Sequence, residues 1–284
     1  MIRFGAHAFV FIGAWTPEDG DATIRAAAEM GFDFLEIPLL DPSSFDAARH
    51  RATLEDVGLG ATCSLVLPKH AHAPSEPDRA RTFLFHALDQ VEAVGADTLC
   101  GCLGYSLGTL TGSPPSRDER AIVEDLLGHL AEEAQSRGIA IALEAVNRYE
   151  TYLYNTIGDV RDSVRNVGSS NLGVHGDTYH MNIEEAGFER ALRDVGQDLR
   201  YLHMSESHRG LVGTGTVDWD GVWRGLAAIG YDGPLVLESF AAINPDLAAA
   251  TCLWRPPAEP PEVLAREGLA FLKQGAARVG LWKG

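Results

Sequence analysis

The sequence predicts an α/β fold of the (β/α)₈ barrel type, and three observations carry that prediction. Eight short, nearly continuous apolar runs alternate with longer amphipathic stretches, the pattern of parallel strands buried on both faces. Gly31, Gly58, Gly95, Gly138 and Gly230 each close a helical stretch just before the next run, as C′ glycines do. Eight such units in 284 residues match a closed barrel in size and count.

In order, the strand-like runs cover 2–12, 32–40, 59–67, 97–104, 139–146, 172–177, 200–205 and 234–240. The helical stretches that follow them cover 23–30, 45–57, 79–94, 118–137, 157–167, 188–195, 222–229 and 264–279. An open doubly wound sheet is the competing architecture, but it usually announces itself by G-x-G-x-x-G after the first strand, and none follows Ile12. No break in composition marks a second domain, so residues 1–284 read as one barrel domain. The Pro-rich patches at 113–116 and 255–262 read as loop insertions, either part of a lid or simply longer loops.

Composition narrows the function classes. The chain is 45% hydrophobic and 22% charged, ordinary for a globular protein with a sizeable core. A formal charge of −17 repels phosphate backbones and anionic lipid, which argues against nucleic acid and membrane partners. The apolar amino terminus lacks the features of a signal peptide, and no run reaches the roughly 18 apolar residues of a membrane span. Four scattered cysteines do not make a disulfide framework, and Cys100 and Cys102 lack a second pair for a thiolate metal site. These features predict a cytoplasmic protein with reduced thiols.

In a barrel the site is built where the strands end. The fifth run carries Glu144 near its end, the sixth ends in Asp177, the seventh carries His203, and the eighth carries Glu238 near its end. Each alone has a dull explanation, a loop ion pair or a core hydrogen bond. Four in register on adjacent strands point to one divalent cation, because a buried carboxylate cluster is costly unless a cation neutralises it. The oxygen-rich set with a single imidazole suits Mn²⁺, with Co²⁺ or Mg²⁺ as alternatives, better than structural zinc.

His7 and Glu36 are weaker candidates from strands one and two. Lys69 could form a Schiff base, but its setting reads as a solvated loop. The glycines of RGLVGTG (209–215) read as a flexible loop closing on substrate rather than a phosphate nest. Asn147 and Arg148 read as the solvating turn after strand five.

The strings LEAVNRYET, DTYHMNIEE, HMSESHRG and YDGPLVLESF resemble the D-tagatose 3-epimerase family, which includes D-psicose (allulose) and L-ribulose 3-epimerases. CLWR at 252–255 and HAFVF near the start are similar to it as well. The likeness covers nearly the whole chain and is densest from Ile139 onward. It implies a xylose-isomerase-like TIM barrel with Glu144, Asp177, His203 and Glu238 as metal ligands and Glu144 and Glu238 as the acid/base pair. It also implies that Glu150, His180 and Arg209 hold the first and second oxygens of a ketose, and that the protein is a dimer or tetramer. Three departures spare the metal set: Gly176 in place of a bulky aliphatic residue, a fourth strand end (GCLGYS) one residue longer, and a distinct third strand end (SLVLPKH).

The expected reaction is metal-dependent inversion of carbon 3 of a free ketose, through an enediolate, by two opposed glutamates. Free rather than phosphorylated sugar follows from the scarcity of lysine and the lack of a phosphate cradle. The alternatives are an aldose–ketose isomerase or polyol dehydratase on the same barrel. A multi-zinc hydrolase would need more histidines and a basic groove, and a non-catalytic sugar-binding barrel would need no opposed glutamates.

Overall fold

The computed structural model describes residues 2–283. Eight parallel strands close in sequence order: β1 (Phe4–His7), β2 (Phe34–Pro38), β3 (Gly60–Val66), β4 (Thr98–Cys102), β5 (Ala140–Glu144), β6 (Leu172–Asp177), β7 (Leu199–Met204) and β8 (Leu235–Leu237). The seam is β1 on β8, with Phe4 opposite Leu235 and Ala6 opposite Leu237. Around them lie α1 (Pro17–Met30), α2 (Ala47–Val57), α3 (Pro77–Val94), α4 (Arg117–Ser136), α5 (Ile157–Val167), α6 (Thr178–Glu184), α7 (Phe188–Val195), α8 (Trp219–Ile229), α9 (Pro245–Thr251) and α10 (Pro261–Arg278). The predicted alternation is present, with α6 and α9 as short helices that the sequence pattern did not separate from the loops.

Local chemistry sets the helix ends. Thr16 caps α1 by accepting from Asp19 N, and the helix starts at Pro17, six residues before the predicted stretch, because Pro17 suits the first turn. Gly31 ends α1 in the left-handed conformation (φ 84°), which lets its N–H reach back to the last carbonyls. The two Pro-rich patches lead into helices: Ser116 begins α4 through a reciprocal capping box with Glu119, and Pro261 opens α10. Neither patch lines the cavity described below. Among the described residues, no helix is long and apolar enough to cross a membrane.

The barrel interior is layered by the two-residue period of a strand. Phe34, Cys100, Ala142, Tyr201 and Val236 pack together as a fully buried apolar layer. A Cβ on Gly5 would run into the Phe34 ring, so the ring can cross the barrel only because that position has no side chain. Two residues further along the same strands stand Glu36, Cys102, Glu144, His203 and Glu238. The step from floor to mouth is therefore a step from oil to acid.

Candidate active site

Register brings the predicted ligands level. Asp177 pairs with His203, and Glu144 sits beside His175, itself two residues below Asp177 on the inward face of β6. Glu144 is 8% exposed, Glu238 7%, His203 3% and Asp177 0%. Among the described residues, ligand atoms of Glu144, His175 and His203, of Glu144, Asp177 and His180, and of Asp177, His203 and Glu238 converge tightly enough to hold an ion.

Arg209 is the one guanidinium in this cluster. Its Nη1 donates to Asp177 Oδ2 (2.8 Å), to Ser205 Oγ (3.1 Å) and to the Glu238 carboxylate. Its plane lies 3.8 Å from the Tyr179 ring centroid, and Phe240 closes the other side at 5.1 Å. Cation–π contact with a desolvated guanidinium holds the group in place. Arg209 reaches the site from a left-handed backbone position (φ 60°).

His180, on the first turn of α6, has its tautomer set by the backbone. Nδ1 accepts from Asn147 N (3.1 Å), so in the neutral ring Nε2 carries the proton. Burial, and next the Arg209 charge, keep this imidazole well below its usual pKa, hence neutral. Nε2–H and Arg209 Nη2 lie 3.2 Å apart as two donors. Asp177 Oδ2 lies 3.5 Å from Nε2 and accepts from Arg209 Nη1 rather than Nη2, so among the described residues no one oxygen serves both donors, and a substrate oxygen is a group that could. Glu150, 3% exposed, accepts from Asn147 Nδ2 at 2.7 Å.

Asn147 is therefore not the solvating turn expected from the sequence. It is 1% exposed and ties Glu150 and His180 together, with Oδ1 accepting from Tyr149 N at 2.9 Å. Only Arg148 faces water, paired with Glu184.

The electrostatics are lopsided. Glu36, Glu144, Glu150, Asp177 and Glu238 are buried carboxylates facing Arg209 and His203. Burial, with Asp177 and Glu238 adding repulsion, pushes the Glu144 carboxyl well above its ordinary range. Burial lifts Asp177 to about 7 against the pull of Arg209. Glu238 stays well below the usual carboxylate range because Arg209 and His203 outweigh its burial. Burial disfavours charge on His203 too, but Glu36 and Glu238 raise it well above an ordinary histidine. The four predicted ligands fit a divalent cation. Their charge is under-compensated, and His203 Nδ1 is buried without a hydrogen bond, 3.4 Å from Glu238 Oε1.

These groups line a cavity of about 640 Å³ whose walls include His7, Cys102, Glu144, Glu150, His180, His203, Arg209 and Glu238. Its outer part is apolar, with Phe9, Trp15, Leu39, Phe45, Phe240 and Leu247. Asp177 lies behind this wall rather than in it.

Other sequence candidates fall away from the chemistry. Lys69 is exposed and outside the cavity. His72, three residues past Lys69, is by contrast 4% exposed and accepts from Ser106 N. The thiols are unpaired, as expected; Cys102 lies 4.0 Å from Glu144 Oε2, and burial raises it well above an ordinary thiol. The 209–215 loop is stapled rather than open: buried Glu206 accepts from Ser207 N, Gly213 N, Val217 N and Trp219 Nε1. Of the three departures, Gly176 faces the helix layer, where a Cβ would meet Leu202, Ile157 and Met181. The third and fourth strand ends do reach the cavity, through Ser64, Leu65, Val66, Gly101 and Cys102.

Comparison with known proteins gives the same architecture and a narrower group. The sequence profile of the xylose isomerase-like TIM barrel family matches residues 24–275. The chain is 36% identical over 278 residues to the ketose 3-epimerase of Arthrobacter globiformis, covering 96% of each. It is 37% identical over 279 residues to the L-ribulose 3-epimerase of Methylomonas sp. (strain DH-1), covering 96% of this chain and 97% of the relative. A crystal structure of D-allulose 3-epimerase from Methylomonas sp. in complex with D-allulose superposes with a TM-score of 0.92 at 37% identity, covering 96% of each chain. The chain belongs to the xylose isomerase-like TIM barrel family, within its ketose 3-epimerase group.

Proposed function

We propose that this chain is a divalent-metal-dependent epimerase that inverts carbon 3 of free ketoses: ketohexoses such as D-tagatose, D-fructose or D-psicose, or ketopentoses such as L-ribulose. The observation that carries the reading is the pair Glu144 and Glu238, at the ends of β5 and β8, across one cavity from each other with His203 and Asp177 between them in the barrel order. Glu144, Asp177, His203 and Glu238 would hold the ion, Mn²⁺ by the balance of oxygen and nitrogen donors. When bound, the ion supplies an electrophile for the negative charge that develops on the substrate oxygens as the proton leaves.

The chain's own residues do the rest. One glutamate takes the proton from carbon 3, and the other returns a proton to the opposite face of the enediolate. His180 Nε2–H and Arg209 Nη2 donate to an oxygen at the carbonyl end, and Glu150 accepts from a hydroxyl beside it. Asn147 fixes both the His180 tautomer and the Glu150 carboxylate. Two features support free sugar over sugar phosphate: the only lysine near a strand end faces solvent, and Glu206 consumes the loop donors that a phosphate would need.

The test is chromatographic. Metal-loaded protein is incubated with ketohexoses and ketopentoses in heavy water, and deuterium is located in the products. A 3-epimer labelled at carbon 3 is expected, with Glu144→Gln and Glu238→Gln each losing on the order of 10²–10⁴ in turnover. Wild-type turnover in both variants with metal bound, or no 3-epimer from any ketose, would overturn the reading. Label at carbon 1 would instead favour an aldose–ketose isomerase.

The reading includes a cytoplasmic protein of one catalytic barrel domain that forms dimers or tetramers. The exposed large apolar side chains Leu40, Leu110, Tyr149 and Trp254 all lie on loops after strand ends, the same rim as the site. Exposed apolar groups on loops of one rim support self-association, which light scattering would measure.

A further inference from the structure

Glu36 has no part in the chemistry described so far, and its surroundings assign it one. It stands on β2, fully buried and outside the cavity wall. Its Oε2 accepts from His203 Nε2 (2.8 Å) and from Tyr201 Oη (2.7 Å). Tyr201 Oη is in turn 2.8 Å from Thr62 Oγ1, so the carboxylate is held from the barrel floor. His7 Nε2 approaches its other oxygen at 3.7 Å.

An imidazole that donates from one nitrogen has only the other left to accept or to bind a cation. On His203 the donating nitrogen is Nε2, and the free one is Nδ1, buried without a hydrogen bond on the side of Glu238 and Asp177. A buried imidazole nitrogen without a hydrogen bond, opposite one gripped by a carboxylate, is the arrangement of an oriented metal ligand, which gives up any proton it carries when a cation binds.

We propose that Glu36 is a positioning residue that locks His203 in the Nε2–H tautomer and aims Nδ1 at the divalent ion. The proposal rests on the reading of Glu144, Asp177, His203 and Glu238 as a metal site. Tyr201 and Thr62 extend the lock, because they keep Glu36 Oε2 on the His203 side of the barrel. Four strands lie between Glu36 and His203 in sequence, and the two meet only because the barrel closes.

The test is metal affinity, not turnover. Chelator-stripped full-length protein is titrated with Mn²⁺, with free Mn²⁺ followed by electron paramagnetic resonance. Glu36→Gln is expected to weaken Mn²⁺ binding about 10–100-fold. Tyr201→Phe, which keeps the carboxylate but frees its oxygen, is expected to weaken it about two- to tenfold, and it decides the matter if Glu36→Gln does not fold. Thermal unfolding of the same samples separates positioning from bulk stability. A purely structural Glu36 would lower the melting temperature of stripped and loaded protein alike and leave the Mn²⁺ Kd unmoved. Folded variants that bind Mn²⁺ within twofold of wild type would overturn the proposal while leaving the metal site standing. A wild-type protein that binds no Mn²⁺ would remove the metal site itself, and the proposal with it.

Discussion

Glu206 offers the sharpest test of how the loop carrying Arg209 is built. Its Oε1 accepts from Ser207 N (2.8 Å) and Val217 N (3.2 Å), and its Oε2 accepts from Gly213 N (2.8 Å) and Trp219 Nε1 (2.9 Å). Hydrogen bonds to an ionised acceptor are worth about 1.5–3 kcal/mol each. In Glu206→Ala, exposed Gly213 can turn to water, whereas Val217 is buried and Ser207 and Trp219 are half-buried. Counting the Val217 donor in full and the two half-buried donors at half gives a loss of about 3–6 kcal/mol.

Spread over the whole molecule, that loss lowers the melting temperature by roughly 6–20 °C. If the loop opens alone, the shift is smaller and a protease site appears between 207 and 219. The backbone carbonyl of residue 206, which accepts from Arg209 N–H at 2.8 Å, survives the substitution, but a loosened loop places Arg209 less precisely, and KM for a ketose should then rise about tenfold. The assays are thermal unfolding, limited proteolysis and steady-state kinetics on one preparation. A melting temperature within about 2 °C of wild type, with an unchanged digestion pattern and KM, would refute the staple.

The same carboxylate gives a pH dependence with a definite sign. Burial works against its charge, but the donors from Ser207, Trp219, Val217 and Gly213 win and hold it below the ordinary range. Its stabilisation is therefore complete above the unfolded value of about 4.3 and lost as pH falls through the lower folded value. Protease sensitivity of the wild-type loop should rise only in that acid window.

Asn147→Ala should cost about tenfold in kcat/KM, mostly through KM, because it frees the Glu150 carboxylate while sparing the backbone bond to His180; unchanged kinetics would contradict that role. Lys69→Ala should leave turnover within about twofold, since the side chain is exposed and away from the cavity; a large loss would revive Schiff-base chemistry. Mn²⁺ added to stripped protein at a hundred times its Kd should stabilise it by about 2.7 kcal/mol, read as a rise in melting temperature; no rise would contradict the cation site.

Much of the site was legible because barrel geometry makes strand ends special. Glu144 and Glu238 stand out as acids at the close of apolar runs, and DTYHMNIEE marks Asp177 and His180 in one string. The role of Asn147 is not legible for a physical reason: a polar residue after a strand usually meets water, and nothing local says that His180 and Glu150 will fold over it. Glu206 was equally hidden, since its donors come from residues up to 13 positions away in a loop whose glycines suggested freedom.

What the sequence determined alone was the alternation of buried strands and amphipathic helices, and with it a barrel whose rim carries three acids and a histidine from four successive strands. Periodicity and strand-end position are local, so a one-dimensional string records them. What only the tertiary structure decided was the pairing between distant strands. Glu36 and Tyr201 lie 165 residues apart, Glu36 and His203 lie 167 apart, and His203 becomes an oriented donor only once β2 and β7 face each other. A hydrogen bond across a closed barrel depends on closure and register, and neither is written in the residues next to it.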